Sequence, residues 1–315
     1  MEAGAGGGEL WDPVLIVGPT AVGKSGLALA LAGQLPVEII NADALQVYRG
    51  LDLGTAKPSV EERARVRHHL IDILEPTEPF SAGDFRRRAL PIIEDVRSRG
   101  RLPVVVGGSG LYLRSLVSGI SAIPEIPESI RQSTRDLLAE EGLDAVRRRL
   151  GELDPETADR LSAGDSQRHL RALEVVTATG RGLTAWWRDE PPQPSVAVLA
   201  RLGLTLPRAL LYDRIACRLQ TMVTAGWVDE VRDLLAGGCL PTAPAFQAIG
   251  YRQVIRHING EWSLERALED TARATRRFAK RQLTWFRKEP DVEWIEAESL
   301  TKSLPRALAA IKAAR

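Results

Sequence analysis

The segment that most constrains the fold of this chain is GPTAVGKS, residues 18–25, which matches the pattern G-x-x-x-x-G-K-S at all its fixed positions. It follows the apolar run PVLIV at 13–17 and leads into helix-forming residues at 27–35. In that setting the glycines let the backbone curl, so that its amides and the helix N-terminus face a di- or triphosphate. The predicted phosphate-binding residues are Gly18, Pro19, Thr20, Ala21, Val22, Gly23, Lys24 and Ser25. We expect Lys24 to neutralise the distal phosphate and Ser25 to be a Mg²⁺ ligand.

Further apolar runs predict the sheet to which this loop belongs. VEIINAD at 37–43 and LPVVVGGSG at 102–110 are typical of buried strands, and VAVLARLGLTL at 196–206 resumes strand character later in the chain. A strand, a loop, a helix and a second strand within about 30 residues form the right-handed unit of a parallel sheet. The fold class predicted is therefore α/β, with a P-loop NTPase-like parallel sheet flanked by helices.

Two proline-rich connectors, IPEIPES at 123–129 and RDEPPQP at 188–194, enclose a stretch with helical spacing and no strand-like run. We therefore expect an all-helical insertion domain at 124–195, a catalytic core with C-terminal helices at 13–123 and 196–315, and a flexible tail at 1–12. Further predicted helices lie at 207–235, 262–288 and about 303–313. Another, at 81–100, has a capping-box start at Ser81 and Asp84, and its Pro91 predicts a kink or a division.

The composition excludes several classes of protein. Forty-two basic and 41 acidic residues give a net charge of +1, so a global basic field for nucleic acid is absent. No apolar run approaches the length of a membrane span, and the N-terminus lacks the features of a secretory signal. The only cysteines, Cys217 and Cys239, form no C-x-x-C, which argues against a disulfide framework or a zinc site. We expect a cytoplasmic protein without membrane association.

The loop identifies a phosphate ligand but not a reaction. An NTPase usually adds an acid at the end of a later strand to organise Mg²⁺ and water, whereas the third strand here ends in VVVGGSG. Asp43, at the end of the second strand, lies where parallel sheets form a ligand crevice. A carboxylate there could hold metal in a small-molecule kinase, act as a general base on an acceptor, or only cap a turn.

Several segments, in order along about residues 13–295, give the chain a specific resemblance. They are GPTAVGKS, NADALQVYRGLDLGTAKPS (41–59), RHHLIDILEP (67–76), FSAGDF (80–85), PVVVGGSGLYLRSLVSG (103–119), DSQRHLRALEV (165–175), QAIGYRQ (247–253) and AKRQLTWFRKE (279–289). Together they resemble the bacterial tRNA dimethylallyltransferases, also called tRNA isopentenyltransferases. The resemblance implies transfer of the dimethylallyl group of dimethylallyl diphosphate to N6 of the adenosine at tRNA position 37, next to the anticodon, with Mg²⁺ required.

The same resemblance implies roles for individual residues. Asp43 matches the general base that accepts the N6 proton, and the phosphate-binding loop would hold a diphosphate leaving group rather than ATP. Lys24, Ser25 with Mg²⁺, and Arg218 match groups that stabilise that leaving group. Ser109 stands where the family usually has Thr, so its hydroxyl is kept and a methyl is lost. The implied catalytic residues are Asp43, Lys24, Ser109 and Arg218.

The resemblance also implies contacts with the tRNA anticodon stem-loop, whose target base would leave the stack and enter a channel toward Asp43. The implied tRNA-binding residues are Asp43, Ala44, Leu45, Gln46, Ser109, Arg131, Gln167, Arg168, His169, Leu170, Arg171, Gln247, Gly250, Arg252, Lys280 and Arg281. Segment 126–190 has 10 Arg against 13 acidic residues, so recognition there depends on a few placed groups. Residues 271–289 instead have seven basic side chains against Glu289, a local charge suited to a phosphate backbone.

Three other interpretations remain open at this point. A small-molecule kinase using ATP would explain the loop but not the basic segment 271–289. An isopentenyltransferase acting on free AMP or ATP would not need the helical insertion. A regulatory RNA-binding module would not depend on Asp43 for function. We expect the chain to act as a monomer on dimethylallyl diphosphate and tRNA.

Overall fold

The computed structural model describes residues 10–315, and the first nine residues of the predicted tail lie outside the described residues. The chain divides into two compact units. One combines the residues up to Val117 with Val196–Arg315, and the other is Ser118–Ser195. The second unit begins at Ser118, a few residues before the connector that was expected to start it at 124.

The larger unit contains a six-stranded sheet in the order β3-β2-β4-β1-β5-β6, and every neighbouring pair is parallel. Its strands are β1 (Val14–Val17), β2 (Val37–Asn41), β3 (His68–His69), β4 (Leu102–Val106), β5 (Ala200–Thr205) and β6 (Val292–Glu296). The α/β parallel-sheet prediction is confirmed. Because all strands run in one direction, the residues that follow β1, β2 and β4 emerge at the same edge of the sheet.

The helices account for most of the remaining chain. They are α1 (Lys24–Ala32), α2 (Val60–Arg65), α3 (Ala82–Ser98), α4 (Gly110–Ser118), α5 (Glu128–Leu153), α6 (Pro155–Arg160), α7 (Ser166–Thr179), α8 (Leu183–Asp189), α9 (Arg208–Thr224), α10 (Trp227–Ala236), α11 (Tyr251–Ile258), α12 (Leu264–Phe286) and α13 (Leu300–Ala314). A 3₁₀ turn covers Pro244–Gln247. Within residues 10–315, none of these helices is both long and apolar enough to cross a membrane.

Local sequence signals predicted some of these elements better than others. The capping box at Ser81 and Asp84 is present, and α3 continues through Pro91 undivided. The single helix expected at 207–235 is two helices, because Gly226 adopts a φ of 99° between α9 and α10. The short strands β3 and β6 and the helices α2 and α11 were missed, since two to eight residues give too little periodicity to detect.

Side chains that alternate along β1 enter two hydrophobic clusters on opposite faces of the sheet. Val14 and Ile16 belong to the larger cluster, with residues of α1, α9, α11 and α13. Leu15 and Val17 belong to the other, with Phe85 of α3 and residues of α4. Burial of both faces explains why the parallel strands are continuous apolar runs rather than alternating ones.

The smaller unit has a core of its own, formed by α5, α7 and α8. Val146, Leu150, Leu173, Val175 and Trp186 lie within it. Buried Asp154 begins α6 by accepting a hydrogen bond from the Thr157 amide, and its other carboxylate oxygen accepts one from the Leu183 amide at 2.9 Å. This one carboxylate therefore joins two of the short helices.

Candidate active site

The phosphate-binding loop has the backbone geometry that its glycines predicted. Gly18 has a φ of 140°, and a β-carbon there would lie 2.6 Å from the carbonyl oxygen of Leu204 on β5. Gly23 has a φ of 107° and is the N-cap of α1, which begins at Lys24 rather than at 27. The loop therefore places backbone amides and a helix N-terminus at the carboxyl edge of the sheet, where an anion is stabilised.

Lys24 folds back onto this loop. Its Nζ donates hydrogen bonds to the carbonyl oxygens of Gly18 at 3.0 Å and Pro19 at 2.8 Å. Burial lowers the pKa of Lys24 to about 8; the charge of Asp43 opposes this shift and the charge of Arg218 adds to it. A phosphate entering the loop can replace the carbonyl groups as acceptor of the ammonium and would favour its charged form.

Asp43 follows β2 and is held by a local network. Its Oδ1 accepts a hydrogen bond from the Leu45 amide at 2.9 Å, and its own amide donates to Asn41 Oδ1 at 3.1 Å. Asn41 in turn donates from Nδ2 to the carbonyl of Leu70 at 3.0 Å. Within residues 10–315, the second carboxylate oxygen of Asp43 has no hydrogen-bond or ion-pair partner, so it is available to a ligand.

Two cavities meet beside these residues. The first cavity, of about 640 Å³, extends past Ser25, Gln46, His68 and Cys217. The second cavity, of about 370 Å³, extends past Ser109, Gln247 and Phe278. The residues that line both are Thr20, Ala21, Lys24, Asp43, Thr55, Arg218 and Met222. The phosphate-binding loop and Asp43 therefore lie where two differently lined spaces join.

Arg218 of α9 brings a second half-buried cation to this junction. Burial lowers the pKa of Arg218, and the charge of Asp43 opposes the shift. Its guanidinium donates one hydrogen bond, from Nη2 to the carbonyl of Thr55 at 3.3 Å. Lys24 and Arg218 are thus two partly desolvated cations that share the negative charge of Asp43, an arrangement that attracts a multivalent anion.

The sequence did not predict the groups that hold the loops around the junction. Glu230 of α10 accepts hydrogen bonds from the amides of Asp52 at 3.0 Å and Leu53 at 2.6 Å, and from the Tyr251 hydroxyl at 2.8 Å. Arg214 of α9 donates to the carbonyl of Val22 in the phosphate-binding loop at 3.1 Å. Nothing in the local sequence distinguishes Glu230 and Arg214 from solvated charges on a helix.

Ser109 lies on the turn that follows β4 and lines the same cavity as Asp43. Its amide is 3.4 Å from the carbonyl oxygen of Ala42, and the side chain borders the second cavity. Gln282 of α12, which the sequence did not single out, donates from Nε2 to the carbonyl of Gly108 at 3.0 Å. It also accepts from the amide of Thr20 at 2.8 Å.

The donor atoms near the loop are compatible with Mg²⁺. Ser25 lies on the first turn of α1 and faces the first cavity, and in the part of the chain described its hydroxyl has no hydrogen-bond partner. Asp43 borders the same cavity. The described residues contain no group of three or more His, Cys, Asp or Glu that could hold a metal. Such a site fits Mg²⁺, which is commonly bound by few protein oxygens together with substrate phosphates and water.

The residues of the larger unit that were predicted to contact tRNA fall into two sets. Those that border a cavity are Asp43, Ala44, Leu45, Gln46, Ser109, Gln247 and Arg281. Arg252 and Lys280 are exposed and lie outside both cavities. Gly250 is buried, and a β-carbon there would lie 2.6 Å from the Trp227 ring, which assigns it a packing role. The contact of Gly250 with tRNA stays a prediction.

In the smaller unit, α7 presents Gln167, Arg168 and Arg171 to solvent. Arg168 pairs with Asp165 at 3.4 Å, and Arg171 pairs with Glu174 at 3.5 Å. The neighbouring His169 is 2% exposed, and its Nδ1 lies 2.8 Å from the carbonyl oxygen of Asp165. Leu170 packs against the core of the unit, so His169 and Leu170 support the helix rather than extend its polar surface.

Arg131, on α5 of the same unit, is half-buried. One Nη lies 4.0 Å from Glu128, at the limit of an ion pair. Its Nε is buried without a hydrogen-bond partner among the described residues. Arg131 therefore retains donor capacity that the described residues do not use.

The basic residues of α12 and its C-terminal extension divide between two faces. Arg277, Lys280, Arg287 and Lys288 are exposed and form no ion pair with any residue in 10–315, and we call these four side chains the free basic face. Arg276 is instead half-buried, with its guanidinium 5.1 Å from the ring centre of Tyr212. Trp285 and Phe286 pack in the core, whereas Phe278 is 36% exposed beside the second cavity.

Comparison with known proteins places this geometry in one family. The family model described as IPP transferase matches residues 46–289. The chain is 47% identical over 287 residues to a tRNA dimethylallyltransferase of Syntrophobacter fumaroxidans, covering 90% of this chain and 83% of that protein. It is 46% identical over 288 residues to a tRNA dimethylallyltransferase of Geobacter metallireducens, covering 90% and 92%.

Solved structures give the same answer for the fold. The crystal structure of a tRNA isopentenylpyrophosphate transferase from Bacillus halodurans matches with a TM-score of 0.69 and 36% identity, over 96% of this chain and 97% of that one. A eukaryotic dimethylallyltransferase, described as acting on tRNA, matches with a TM-score of 0.81 and 26% identity, over 95% and 78%. These similarities cover both compact units of the chain.

Proposed function

The chain belongs to the IPP transferase family, and we propose that it transfers a dimethylallyl group from dimethylallyl diphosphate to N6 of adenosine 37 in tRNA, next to the anticodon. One observation carries the proposal: Lys24, Asp43 and Arg218 border both cavities at the point where these join. A nucleotide hydrolase needs one phosphate cavity, whereas a kinase or a prenyl transferase also needs space for an acceptor, and the family match favours the prenyl transferase. A second space that reaches the same carboxylate from another direction suits an acceptor with its own entrance.

In this proposal the allyl diphosphate occupies the first cavity and its diphosphate lies in the phosphate-binding loop. The flipped adenine enters the second cavity, with N6 directed at Asp43. The N6 nitrogen attacks C1 of the allyl group while the bond from C1 to the diphosphate oxygen breaks, and diphosphate leaves. Asp43 accepts the N6 proton through its unpartnered oxygen, so the amine gains a carbon substituent without keeping a positive charge.

Lys24 and Arg218 stabilise the negative charge that develops on the leaving oxygen. Both are desolvated, which strengthens their interaction with an anion relative to exposed cations. Ser25 would hold Mg²⁺ together with the diphosphate oxygens, and Asp43 borders the same cavity. When bound there, the ion would neutralise part of the diphosphate charge.

The tRNA is proposed to meet the protein along α12 and at the rim of the second cavity. Two members of the free basic face, Arg277 and Lys280, lie on the same helix as Arg281 and Phe278, both of which border that cavity. Unpaired cations on a helix are available to phosphates without breaking an internal ion pair. Gln247, also at the rim, is exposed and suited to hydrogen-bonding a base edge.

The experiment that tests this function incubates purified protein with dimethylallyl diphosphate, Mg²⁺ and an unmodified tRNA transcript that has adenosine at position 37. Mass spectrometry of the digested tRNA should show N6-isopentenyladenosine at that position and no product with guanosine at 37. Parallel reactions with AMP, with ATP, and with ATP plus tRNA distinguish the open alternatives. Prenylation of free nucleotide alone, or phosphate transfer without prenylation, would overturn the proposal.

A further inference from the structure

Gln282 connects two segments that the proposed reaction uses separately. Its Oε1 accepts a hydrogen bond from the amide of Thr20, in the phosphate-binding loop, at 2.8 Å. Its Nε2 donates to the carbonyl of Gly108, on the turn before Ser109, at 3.0 Å. The side chain is 6% exposed and belongs to α12, far along the chain from both partners. One side-chain amide thus satisfies two backbone groups in different loops, the part-buried Thr20 amide and the buried Gly108 carbonyl.

The two bonds fix the orientation of the amide. If the amide were flipped, its NH₂ group would face the Thr20 N–H and its oxygen would face the Gly108 carbonyl, so both hydrogen bonds would be lost. The turn is also built for close approach, because a β-carbon on Gly108 would lie 2.2 Å from Gln282 Nε2. A β-carbon on the preceding Gly107 would lie 2.1 Å from the carbonyl oxygen of Ala42, the residue before Asp43.

Resting on the function proposed above, we propose that Gln282 is a positioning residue for the transfer. Its amide sets the separation between the loop that holds the donor diphosphate and the turn that packs against the strand end carrying Asp43. Transfer needs C1 of the donor and N6 of the acceptor in near-attack geometry, and a misplacement of about 1 Å can cost about 100-fold in rate. Gln282 therefore acts on the rate after both substrates are bound, rather than on either affinity.

The chain offers a matched control in Gln253 of α11. This glutamine is 5% exposed and also makes two hydrogen bonds, accepting from the Gly250 amide at 2.8 Å and donating to Asp270 at 3.1 Å. It borders neither cavity. A purely structural role for buried glutamines predicts the same consequences for both residues, whereas the positioning role predicts different ones.

The test compares wild type, Gln282→Met, Gly108→Ala and Gln253→Met, using full-length protein, dimethylallyl diphosphate and the tRNA transcript. We expect each variant to lower the melting temperature. At saturating substrates and well below melting, Gln282→Met and Gly108→Ala should lower the single-turnover rate about 10- to 100-fold. Their tRNA dissociation constants should stay within about twofold of wild type, and Gln253→Met should keep the wild-type rate.

Gln282→Glu gives a second readout that packing volume alone would not change. A protonated glutamic acid has a carbonyl for the Thr20 amide and an O–H for the Gly108 carbonyl, whereas the ionised form loses that donor. The rate of Gln282→Glu relative to wild type should therefore rise as pH is lowered from about 8 to about 6, while that of Gln282→Met stays flat. This variant also serves if Gln282→Met fails to fold.

The outcomes separate the two proposals. A wild-type chain that transfers, with Gln282 variants that transfer at its rate at saturation, would overturn the positioning role alone. Equal rate losses in Gln282→Met and Gln253→Met would do the same, since they would mark a general effect of a lost buried bridge. A wild-type chain that transfers nothing to tRNA would overturn the proposed function and, with it, this role.

Discussion

The two cavities that meet at Asp43 are built in different ways. The first cavity is lined in part by one short contiguous segment, from which Thr20, Ala21, Gly23, Lys24 and Ser25 border it, and by Arg218 of α9. The second cavity is assembled from side chains of several distant segments, among them Leu45, Ser109 and Gln282. A contiguous loop can bind a small group of fixed shape, such as a diphosphate. A flipped nucleotide that remains attached to a folded RNA is instead contacted by side chains from several segments.

This difference divides the functional residues into three classes that experiments can separate. Residues of the first cavity alone should affect the donor, and exposed residues of α12 and of the rim of the second cavity should affect the tRNA. Residues bordering both cavities, together with the buried Gln282, should affect transfer itself. A variant that changes a property assigned to another class would contradict this division.

The largest effect is expected for Asp43, which borders both cavities. Asp43→Ala removes the base that accepts the N6 proton, so the single-turnover rate should fall about 10²- to 10⁴-fold. The dissociation constants for dimethylallyl diphosphate and for tRNA should change by less than about threefold, because the carboxylate acts on the proton that is transferred during the reaction. Rapid-quench transfer assays and separate binding titrations check this. A rate within about tenfold of wild type would refute the general-base role.

Lys24 should affect donor binding and the rate of transfer together, because its charge acts on the bound diphosphate and on the leaving group. Lys24→Ala removes a desolvated ammonium at the diphosphate site, and hydrogen bonds to charged groups contribute about 1.5–3 kcal/mol, or about 10- to 100-fold in affinity. Calorimetry should show that loss for dimethylallyl diphosphate, with tRNA affinity unchanged. Normal donor binding by Lys24→Ala would mean that the diphosphate is held elsewhere.

The sequence predicted the first cavity well because its geometry is local. Gly18, Gly23, Lys24 and Ser25 have fixed spacing, and the loop between β1 and α1 follows from that spacing alone. The side chains that hold this loop from elsewhere in the chain, Arg214 and Gln282, were not predicted, because each makes a long-range contact. Gln282 contacts Thr20 only when α12 packs beside the sheet. In the sequence AKRQLTWFRKE alone, nothing distinguishes this glutamine from one that is exposed to solvent.

Tertiary packing also changed the interpretation of residues that the sequence did single out. Arg276 belongs to the basic segment 271–289, yet it is half-buried against Tyr212. Gly250 and His169 were candidate tRNA contacts, yet each is buried with a packing or backbone partner. Charge and residue type are visible in a sequence, but which face of a helix remains exposed is decided by its neighbours.

The pKa of Lys24 gives the first cavity a pH dependence. Diphosphate needs the ammonium form, so affinity should be level below about pH 8 and fall by up to about tenfold per pH unit above it. For folding the sign differs: the unfolded lysine keeps its proton up to about its ordinary pKa of 10.5. Between these values the unfolded state binds more protons, and the free energy of unfolding rises with pH.

Donor titrations of wild type and Lys24→Ala from about pH 7 to 9.5 check the binding part of this prediction. The alkaline loss of affinity should be present in wild type and absent from the variant. An equal loss in both would assign the titration to another group. Denaturant melts over the same range check the stability part through the difference between the two proteins.

A smaller effect is expected on α12, where the free basic face replaces the charges first apparent in the sequence. Arg277→Gln with Lys280→Gln and Arg281→Gln should weaken tRNA binding about five- to tenfold near 0.1 M salt and flatten the salt dependence of log affinity by about 0.7–0.9 per lost phosphate contact. Donor affinity should not change. The matched control is Arg276→Gln, which loses the contact with Tyr212 and should lower stability with an unaltered salt slope. An unaltered slope in the triple variant would remove α12 from the tRNA surface.

The smallest effect is expected on α7, and it tests whether α7 and α12 both bind the tRNA backbone through their arginine and lysine side chains. Arg168 and Arg171 are already paired with Asp165 and Glu174, so binding a phosphate there exchanges one ion pair for another. Exposed pairs of this kind contribute about 0.2–1 kcal/mol, and we expect Arg168→Gln with Arg171→Gln to weaken tRNA binding only about two- to threefold. The salt slope should change by less than in the α12 variant, because fewer uncompensated charges are removed. Filter binding of wild type, the α7 variant and the α12 triple variant over about 50 to 200 mM salt compares all three. An α7 variant with the larger slope change would show that net charge of the isolated unit is a poor guide to where the tRNA backbone binds.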